Sequence, residues 1–485
     1  GWETYLTNET AQSIINKAVS WVIGRGLKMQ YIPSLVVLNS EGIKITNAQI
    51  QELANLIEFK YELYRKSKKS SYSGRKTLNQ LEAVAYKNVQ NGGDVLVIKR
   101  YIDGWIKTEL IDGVHIKSPQ GGTDFAPTVL ANGNRIMNGV EMNEAGEHVA
   151  YWVQDAAYKF KRIPSKNNGF SVAYLVDGLE YRLDYSRAIP LFSGIFETLA
   201  AMDRYKNATL ESAEEQNKLS YQIKHGVKST GENPLIQQIA KASGKDGDKI
   251  PVDQQLKEMA NKVAVATNKQ VVNNVTDSEI VPVGKNEAEL YFKDFYNTIF
   301  DSVCAAANFP PNVVQSKYDT SFSSARAAIK DWEHTLLIKR DDFSSQFNQP
   351  DFEFWLHCEI LRNKINLPGY LTAFGNGNDI IIEAFRQTRW VGDNVPHIDP
   401  LKEVLAERMK LGDTGASLPL TTHEAATEAL NGGDSNTNIQ QYANELQTAK
   451  QLGIEVKTAL KPIDGKDPKA EYKELMQLAL RLFDN

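Results

Sequence analysis

The chain has 485 residues, with 55 Lys and Arg against 60 Asp and Glu, for a net charge of −5 at neutral pH. This length exceeds that of a typical single domain, so we expect several domains or one elongated, multi-part subunit. The acidic balance argues against a general high-affinity nucleic-acid binder, although not against a surface that DNA slides past. No apolar run approaches the ~20 residues that span a bilayer, so no membrane partner is expected.

The first third of the chain alternates helical and extended patterns. Helices are predicted over residues 9–24, 46–65 and 77–89 from apolar residues at helical spacing. A strand is predicted over Tyr31–Leu38, because six of its eight residues are apolar or aromatic.

The sequence changes to period-two alternation after a turn at Asn91–Asp94. Short apolar-polar runs separated by Gly, Asn and Asp continue to about Ile189. Asn143–Gly146 has the composition of a hairpin turn. The pattern predicts a small, strongly bent antiparallel sheet or barrel.

Two long helices are predicted on either side of a segment poor in large apolar residues. The first, Ser193–His225, becomes more polar along its length, and the second, Asn286–Asn308, is expected to pair with it in antiparallel fashion. Residues 227–285 contain no Phe, Tyr or Trp and include a Val-rich strand pair. Such a segment is either a flexible insertion or a module that completes its core against neighbouring copies by strand addition.

The stretch Tyr318–Ile365 follows a Pro-Pro pair and a polar loop, and it reads at helical spacing for more than ten turns. Pro350 breaks or restarts this long helix. A strand is predicted at Asp379–Phe385. The last 85 residues, which follow Pro400, predict three or four short, polar helices.

Catalytic motifs are missing from the sequence. There is no GxSxG, P-loop, HExxH or Gly-rich dinucleotide motif, and the seven histidines show no ligand spacing. Cys304 and Cys358 lie in apolar helical patterns and are predicted to be small core residues in a reducing compartment. We therefore expect no enzyme, no metal site and no cofactor.

A basic run is the candidate phosphate or partner patch of the N-terminal third. Its members are Arg65, Lys66, Lys68, Lys69, Arg75 and Lys76. These cations would contact nucleic acid or an acidic partner without sequence specificity. The alternative is a solvated helix end, where cations interact favourably with the helix dipole.

The loop before the long helix is a second candidate site. It comprises Lys317, Tyr318, Asp319, Thr320 and Ser321. In the simpler interpretation it connects two helices and Ser321 or Ser323 caps the second one. In the functional interpretation the loop, repeated around a ring, forms a constriction.

Five stretches, in the same order along the chain, resemble the lambda-type portal proteins of tailed bacteriophages. They are Val22–Gln30, Gly139–Tyr151, Leu199–Ala213, Ser323–Ala328 and Ile398–Glu403. The most specific is Ser-Ser-Ala-Arg-Ala-Ala at the start of the long helix. Residues 227–285 match no part of that family's pattern.

The resemblance implies an α+β, portal-type subunit that assembles as a ring. Its parts would be an α/β wing, antiparallel stem helices, a small α/β clip, a tunnel loop and a helical C-terminal crown. The implied boundaries are 1–192 and 325–395 for the wing, 193–226 and 286–308 for the stem, 227–285 for the clip, 309–324 for the tunnel loop region and 396–485 for the crown.

The function implied is that of a dodecameric ring at a capsid vertex, through which double-stranded DNA is packaged and ejected. The implied partners are terminase during packaging, the head–tail adaptor afterwards and the major capsid protein, in a virion assembled in the host cytoplasm. We predict that the tunnel loop points into the channel and that the second stem helix forms an acidic channel wall. The stem residues concerned are Glu287, Glu289, Lys293, Asp294 and Asp301. The alternative is a scaffold or baseplate-type ring that never contacts DNA.

Overall fold

The computed structural model divides into two compact units. The first comprises Gly1–Trp2, Ser13–Leu191 and the residues from Lys317 onward, and the second comprises Glu3–Gln12 and Phe192–Ser316. The structure describes residues 1–119, 121–178, 185–223, 263–266, 269–273, 286–317, 322–393, 400–412, 419–431, 433 and 435–451. Both units contain helices and sheets, so the chain is of the α+β class.

Five helices lie in the first 92 residues, and the last two of them begin at capping threonines. They are α1 (Trp2–Thr7), α2 (Glu9–Val22), α3 (Leu35–Ser40), α4 (Asn47–Lys66) and α5 (Leu78–Gly92). The side chain of Thr46 accepts a hydrogen bond from the backbone N–H of Gln49, whose own side chain accepts from the N–H of Thr46. Thr77 and Gln80 repeat this capping box at the start of α5.

The predicted strand over Tyr31–Leu38 is wrong. The strand β1 is Lys28–Tyr31 and ends before Pro33, while Leu35–Ser40 form α3. A proline supplies no N–H to a ladder, and a short apolar run fits a helix as well as a strand. β1 instead pairs in antiparallel fashion with β15 (Thr388–Val391), from the far end of the chain.

Strands follow α5, as the period-two pattern predicts. They are β2 (Asp94–Ile102), β3 (Trp105–Asp112), β4 (Thr128–Val129), β5 (Arg135–Met137), β6 (Val140–Met142), β7 (His148–Gln154), β8 (Phe160–Pro164), β9 (Lys166–Asn167), β10 (Phe170–Ser171) and β11 (Ala173–Asp177). Gly93 makes the turn into β2 at φ +93°, where a Cβ atom would lie 2.5 Å from the carbonyl oxygen of Ala188. The Asn143–Gly146 hairpin turn is confirmed, with the N–H of Asn143 bonded to the carbonyl of Glu147.

These strands form separate open sheets rather than one bent sheet or barrel. One sheet has the order β11-β2-β3, another runs β4 to β8 in sequence, and β9 pairs with β10. The 3-10 turn Gly113–His115 follows β3, and the chain rejoins the first sheet only at β11. One apolar core nevertheless serves both larger sheets, with members on β2, β6, β7 and β8 that include Leu96, Val140 and Tyr151.

The second unit contains the two long helices and a small sheet. Its elements are α6 (Phe196–Lys218), β12 (Leu219–Ile223), β13 (Val263–Ala266), β14 (Lys269–Asn273), α7 (Asn286–Ala306) and α8 (Pro311–Gln315). The predicted Val-rich strand pair is confirmed as the antiparallel pair β13–β14. The first long helix is shorter than predicted, because residues 219–223 form β12, parallel to β14. Leu219, Tyr221 and Ile223 alternate with polar residues, which is a strand pattern.

The long helix after the polar loop is present, with an irregular turn in it. α9 (Phe322–Phe343) passes through a π-helical turn, Ser344–Asn348, into α10 (Gln349–Leu361). Pro350 lies in the first turn of α10. The backbone N–H groups of a first helical turn have no partner within their own helix, so the N–H that proline lacks is not required there. The remaining elements are α11 (Tyr370–Asn376), α12 (Asp379–Arg386), α13 (Pro400–Lys410), α14 (His423–Asn431) and α15 (Ser435–Gln451).

The predicted strand at Asp379–Phe385 is wrong, because these residues form α12. Ile381, Ile382 and Phe385 are buried on one helix face, while Ile380 is 58% exposed. Three consecutive isoleucines suit a strand locally, but positions i, i+1 and i+4 also define a helix face. The polar helices predicted near the C-terminus are confirmed up to Gln451, and later residues lie outside the described part.

Neither a membrane span nor a metal cluster is found among the described residues. No helix there is both long and apolar enough to cross a bilayer. The same residues contain no group of three or more His, Cys, Asp or Glu side chains placed to hold a metal ion.

Candidate channel helices and basic segment

The two predicted stem helices, α6 and α7, pack against each other through aromatic rings. The Tyr205 ring stacks on Phe292 at a centroid distance of 5.5 Å and lies edge-on to Phe295 at 4.8 Å. Farther along, both helices contribute fully buried side chains, which include Leu199, Met202, Phe300, Val303 and Cys304. This apolar contact holds the helix pair together.

The N-terminal segment of the second unit is bonded to α6 by polar side chains. The Asn8 amide donates to a carboxylate oxygen of Asp203 at 2.7 Å, and its own oxygen accepts from the N–H of Ala11 at 2.8 Å. The Lys206 ammonium lies 2.6 Å from the Glu9 carboxylate and lowers the pKa of that carboxyl. Sequence patterns gave no sign of these contacts, because the partners are almost 200 residues apart.

One face of α7 is acidic and exposed in its described C-terminal half. Asp294, Thr298 and Asp301 follow one another at i, i+4 and i+7 and are all exposed. Lys293 is exposed beside them. Glu287 and Glu289 lie in the first turn of α7, but their side chains are outside the described residues.

The chain reverses sharply after α7, where the predicted tunnel loop region begins. Asn308 adopts φ +55°, and the N–H of Phe309 donates to the Cys304 carbonyl at 3.0 Å, which closes the helix end. α8 then runs from Pro311 to Gln315, and the residue after it, Ser316, again has a left-handed φ of +55°. Lys317 follows and is exposed. The other four predicted loop residues, Tyr318, Asp319, Thr320 and Ser321, lie outside the described part of the chain.

Arg65 does not belong to a surface phosphate patch, so this part of the prediction is wrong. Its side chain is almost completely buried, and its guanidinium lies 2.5 Å from the Glu82 carboxylate and donates to Asn79 at 2.8 Å. It also donates to the Leu27 carbonyl. Burial raises the pKa of Glu82, and the Arg65 charge opposes that shift. Arg65 therefore balances a buried carboxylate.

The rest of the basic run is exposed and lies beside the β2–β3 hairpin. Lys66 pairs with Glu62 at 2.7 Å, whereas Lys68, Lys69, Arg75 and Lys76 point to solvent. The Lys69 ammonium lies 5.0 Å from the centroid of the Trp105 ring. The Arg100 guanidinium lies 5.1 Å from the Tyr72 ring centroid. The sequence could not reveal these pairs, because they depend on how the segment docks on β3.

Residues 3–339 match the family model for phage portal proteins of the lambda family. This stretch covers well over half of the chain, so the chain belongs to the lambda family of phage portal proteins. Portal proteins are structural components of the virion and not enzymes.

Individual relatives are distant. A protein described as a probable portal protein of Halomonas phage phiHAP-1 is 20% identical over 471 residues, which cover 93% of this chain and 81% of the relative. Among solved structures, a chain of the virion of a native gene transfer agent particle is 9% identical with a TM-score of 0.40, covering 88% of this chain and 90% of that one. A chain from the neck of an empty particle, computed with C6 symmetry, is 9% identical with a TM-score of 0.41, and the same shares of both chains are covered. A chain from the neck of the native particle, computed with C12 symmetry, is 8% identical with a TM-score of 0.40, covering 88% of this chain and 92% of that one. TM-scores this low do not establish a shared fold.

Proposed function

We propose that this chain is the subunit of a homo-oligomeric ring at a capsid vertex, and that double-stranded DNA passes through the central channel during packaging and ejection. The observation that carries the proposal is the extent of the family match, which runs through both units from residue 3 into α9. In this proposal the ring has twelve copies, is surrounded by the major capsid protein and is assembled in the host cytoplasm before it becomes part of the virion.

The α6–α7 pair is proposed to line the channel. A conduit must hold DNA weakly, since every Lys or Arg contact to a phosphate adds affinity that has to be broken as the duplex moves. The exposed face of α7 suits this requirement, because Asp294 and Asp301 outnumber the single cation Lys293. Like charges would keep the duplex centred, and Lys317 and the loop after it would make the closest approach.

The small sheet β12–β14–β13 is proposed to dock terminase and later the head–tail adaptor. β12 and β13 are its outer strands among the described residues, so each offers main-chain donors and acceptors along one edge. Strand addition at such an edge gives affinity from the backbone and would also allow neighbouring copies to complete the sheet. This favours a shared module over a flexible insertion.

Electron microscopy of the purified protein in negative stain tests the proposal. We expect rings with radial symmetry and a central hole wide enough for a duplex, ~20 Å or more from the dimensions of B-DNA. A native mass measurement then gives the copy number. A scaffold or baseplate-type ring would show a blocked or narrower axis, and a compact monomer would contradict any ring.

A further inference from the structure

We propose that the cations beside the β2–β3 hairpin form a second DNA-binding surface, which contacts the phosphate backbone of duplex DNA outside the channel. We call this surface the basic face, and its cations are Lys68, Lys69, Arg75, Lys76 and Lys107. The proposal does not depend on a channel, because the basic face belongs to the first unit and to a single copy of the chain.

The segment that carries the basic face is fastened to β3. The 3-10 turn Lys68–Ser70 ends in the buried Ser70 and Ser71, and Ser71 forms a β-bridge with Thr108. The N–H of Tyr72 donates to the Thr108 carbonyl at 2.9 Å. Lys107 precedes Thr108 on the same strand. The lysines are therefore displayed on a fixed backbone, which lowers the entropy lost when they bind.

The charge on the basic face is not neutralised within the protein. None of its five cations has an acidic side chain within ion-pair distance among the residues that the structure describes. The neighbouring cations Lys66 and Arg100, in contrast, pair with Glu62 and Glu109 at 2.7 and 2.5 Å. A concentrated positive surface on a chain of net charge −5 attracts a polyanion locally, even though the whole molecule does not.

The aromatic rings indicate which polyanion fits. Proteins that hold single strands stack bases on free aromatic faces. Here the Lys69 ammonium lies over one face of the Trp105 ring and the Arg100 guanidinium over one face of the Tyr72 ring, while 38% and 47% of these side chains are exposed. A cation on a ring face competes with a stacked base, so these rings favour contact with phosphates over base stacking. Such contact is independent of sequence and suits an intact duplex, whose charges are about 1.7 Å apart along the axis.

Fluorescence anisotropy with a labelled, random-sequence duplex of about 30 base pairs tests the proposal, using the assembly as purified. Affinity should fall with salt between about 50 and about 200 mM, with a log–log slope near −0.9 for each phosphate contacted. The variant K68Q/K69Q/R75Q/K76Q should bind at least about tenfold more weakly at the low salt concentration, and its slope should be shallower by about 3.6, which is about 0.9 for each of the four cations removed.

A matched control removes the same net charge elsewhere on the first unit. K44Q/R135Q/K159Q/K161Q also changes three lysines and one arginine, all of them exposed. It should bind the duplex within about twofold of the unchanged protein, since distant exposed charges are largely screened. The double variant K68Q/K76Q leaves the Lys69–Trp105 contact intact and should show about half the change in slope, which guards against a folding defect in the quadruple variant.

Three results would overturn the proposal. They are equal losses in the quadruple variant and its control, tighter binding of a single strand than of the duplex, and no duplex binding by the unchanged protein. The last result would assign the basic face to an acidic protein surface instead. Ring formation is scored separately by microscopy, so a missing channel would defeat the proposed function without touching this test.

Discussion

Lys99 and Asp351 form an ion pair in the core of the first unit, where their side chains are 0% and 1% exposed. Lys99 lies on β2 and Asp351 in the first turn of α10, so the pair joins the sheet to the long helix. The Tyr61 hydroxyl donates to the same carboxylate at 2.8 Å, and the Lys99 ammonium donates to Thr108 at 2.9 Å. Burial lowers the pKa of Lys99 well below its ordinary value. The charged form of this lysine therefore depends on its partner.

Removing one member of this pair should cost much more than removing both. Asp351→Ala leaves a buried amine without its counter-charge, and we expect the free energy of unfolding to fall by about 3–5 kcal/mol in urea titrations. The double variant Lys99→Met/Asp351→Leu replaces the pair by apolar side chains and should recover most of that loss. Equal stability of the single and double variants would show that the two charges do not depend on each other.

The pH dependence of stability should contain a contribution from His357. This side chain is buried on α10, with its ring centroid 3.7 Å from that of Phe170 and 4.9 Å from that of Phe374. Burial, assisted by the nearby charge of Arg386, lowers its pKa to about 4. In the unfolded chain His357 therefore binds a proton below about pH 6.5, whereas in the folded chain it binds a proton only below about pH 4. Stability supplied by neutral His357 is complete above pH 6.5 and is lost as the pH falls towards 4.

His357→Phe tests this contribution, because it keeps a ring in the stack and removes the titration. In chemical denaturation between pH 7 and pH 4, the variant should lose less stability than the unchanged protein. Asp177 contributes to the pH dependence of stability with the opposite sign. Burial raises its pKa to about 6, so its protonated form favours the folded state at lower pH. The difference between the two proteins is therefore the quantity to compare. Parallel curves would show that His357 is protonated equally in both states.

The contact between α6 and α7 predicts a local effect on the second unit. Tyr205→Ala removes the ring that contacts Phe292 and Phe295, and we expect a loss of about 2 kcal/mol. Hydrogen exchange of the two helices should measure it as faster exchange. Leu210→Ala on the same helix is the control, because Leu210 is 57% exposed and should cost under about 0.5 kcal/mol. Equal exchange in both variants would mean that the rings do not hold the helices together.

The sequence predicts elements well where local chemistry sets a boundary. The starts of α4 and α5 follow from Thr46 and Thr77, whose capping boxes need only residues three positions apart. Short apolar runs are different, because their state depends on what packs against them. Residues 35–40 and 379–386 are helices although they suit strands, and residues 219–223 pair as a strand although they directly follow a long helix.

The contacts of the candidate sites could be predicted only in part, because many of the partners are distant in sequence. The sequence predicts that Arg65 is a surface cation, because other cations follow it. Only the folded structure shows that Glu82 and Asn79 contact it. The pairing of Arg100 with Tyr72 is likewise a product of tertiary structure. The positions of Asp294 and Asp301 on one helix face could be predicted, because helical spacing alone determines them.

Deleting residues 316–321 should separate ring assembly from DNA handling. The deletion removes the left-handed Ser316 that ends α8, the exposed Lys317 and the loop that we propose to narrow the channel. Because α6, α7 and all the described sheets remain, rings should still form in electron micrographs. Heads assembled with the variant should hold little nuclease-protected DNA, since nothing would grip the duplex at the constriction.

A loop of unchanged length with Lys317, Tyr318 and Asp319 all replaced by Ser distinguishes contact from loop length. If contact matters, this variant should share the DNA defect, whereas loss of the ring in the deletion would contradict the assignment of these residues to a channel loop.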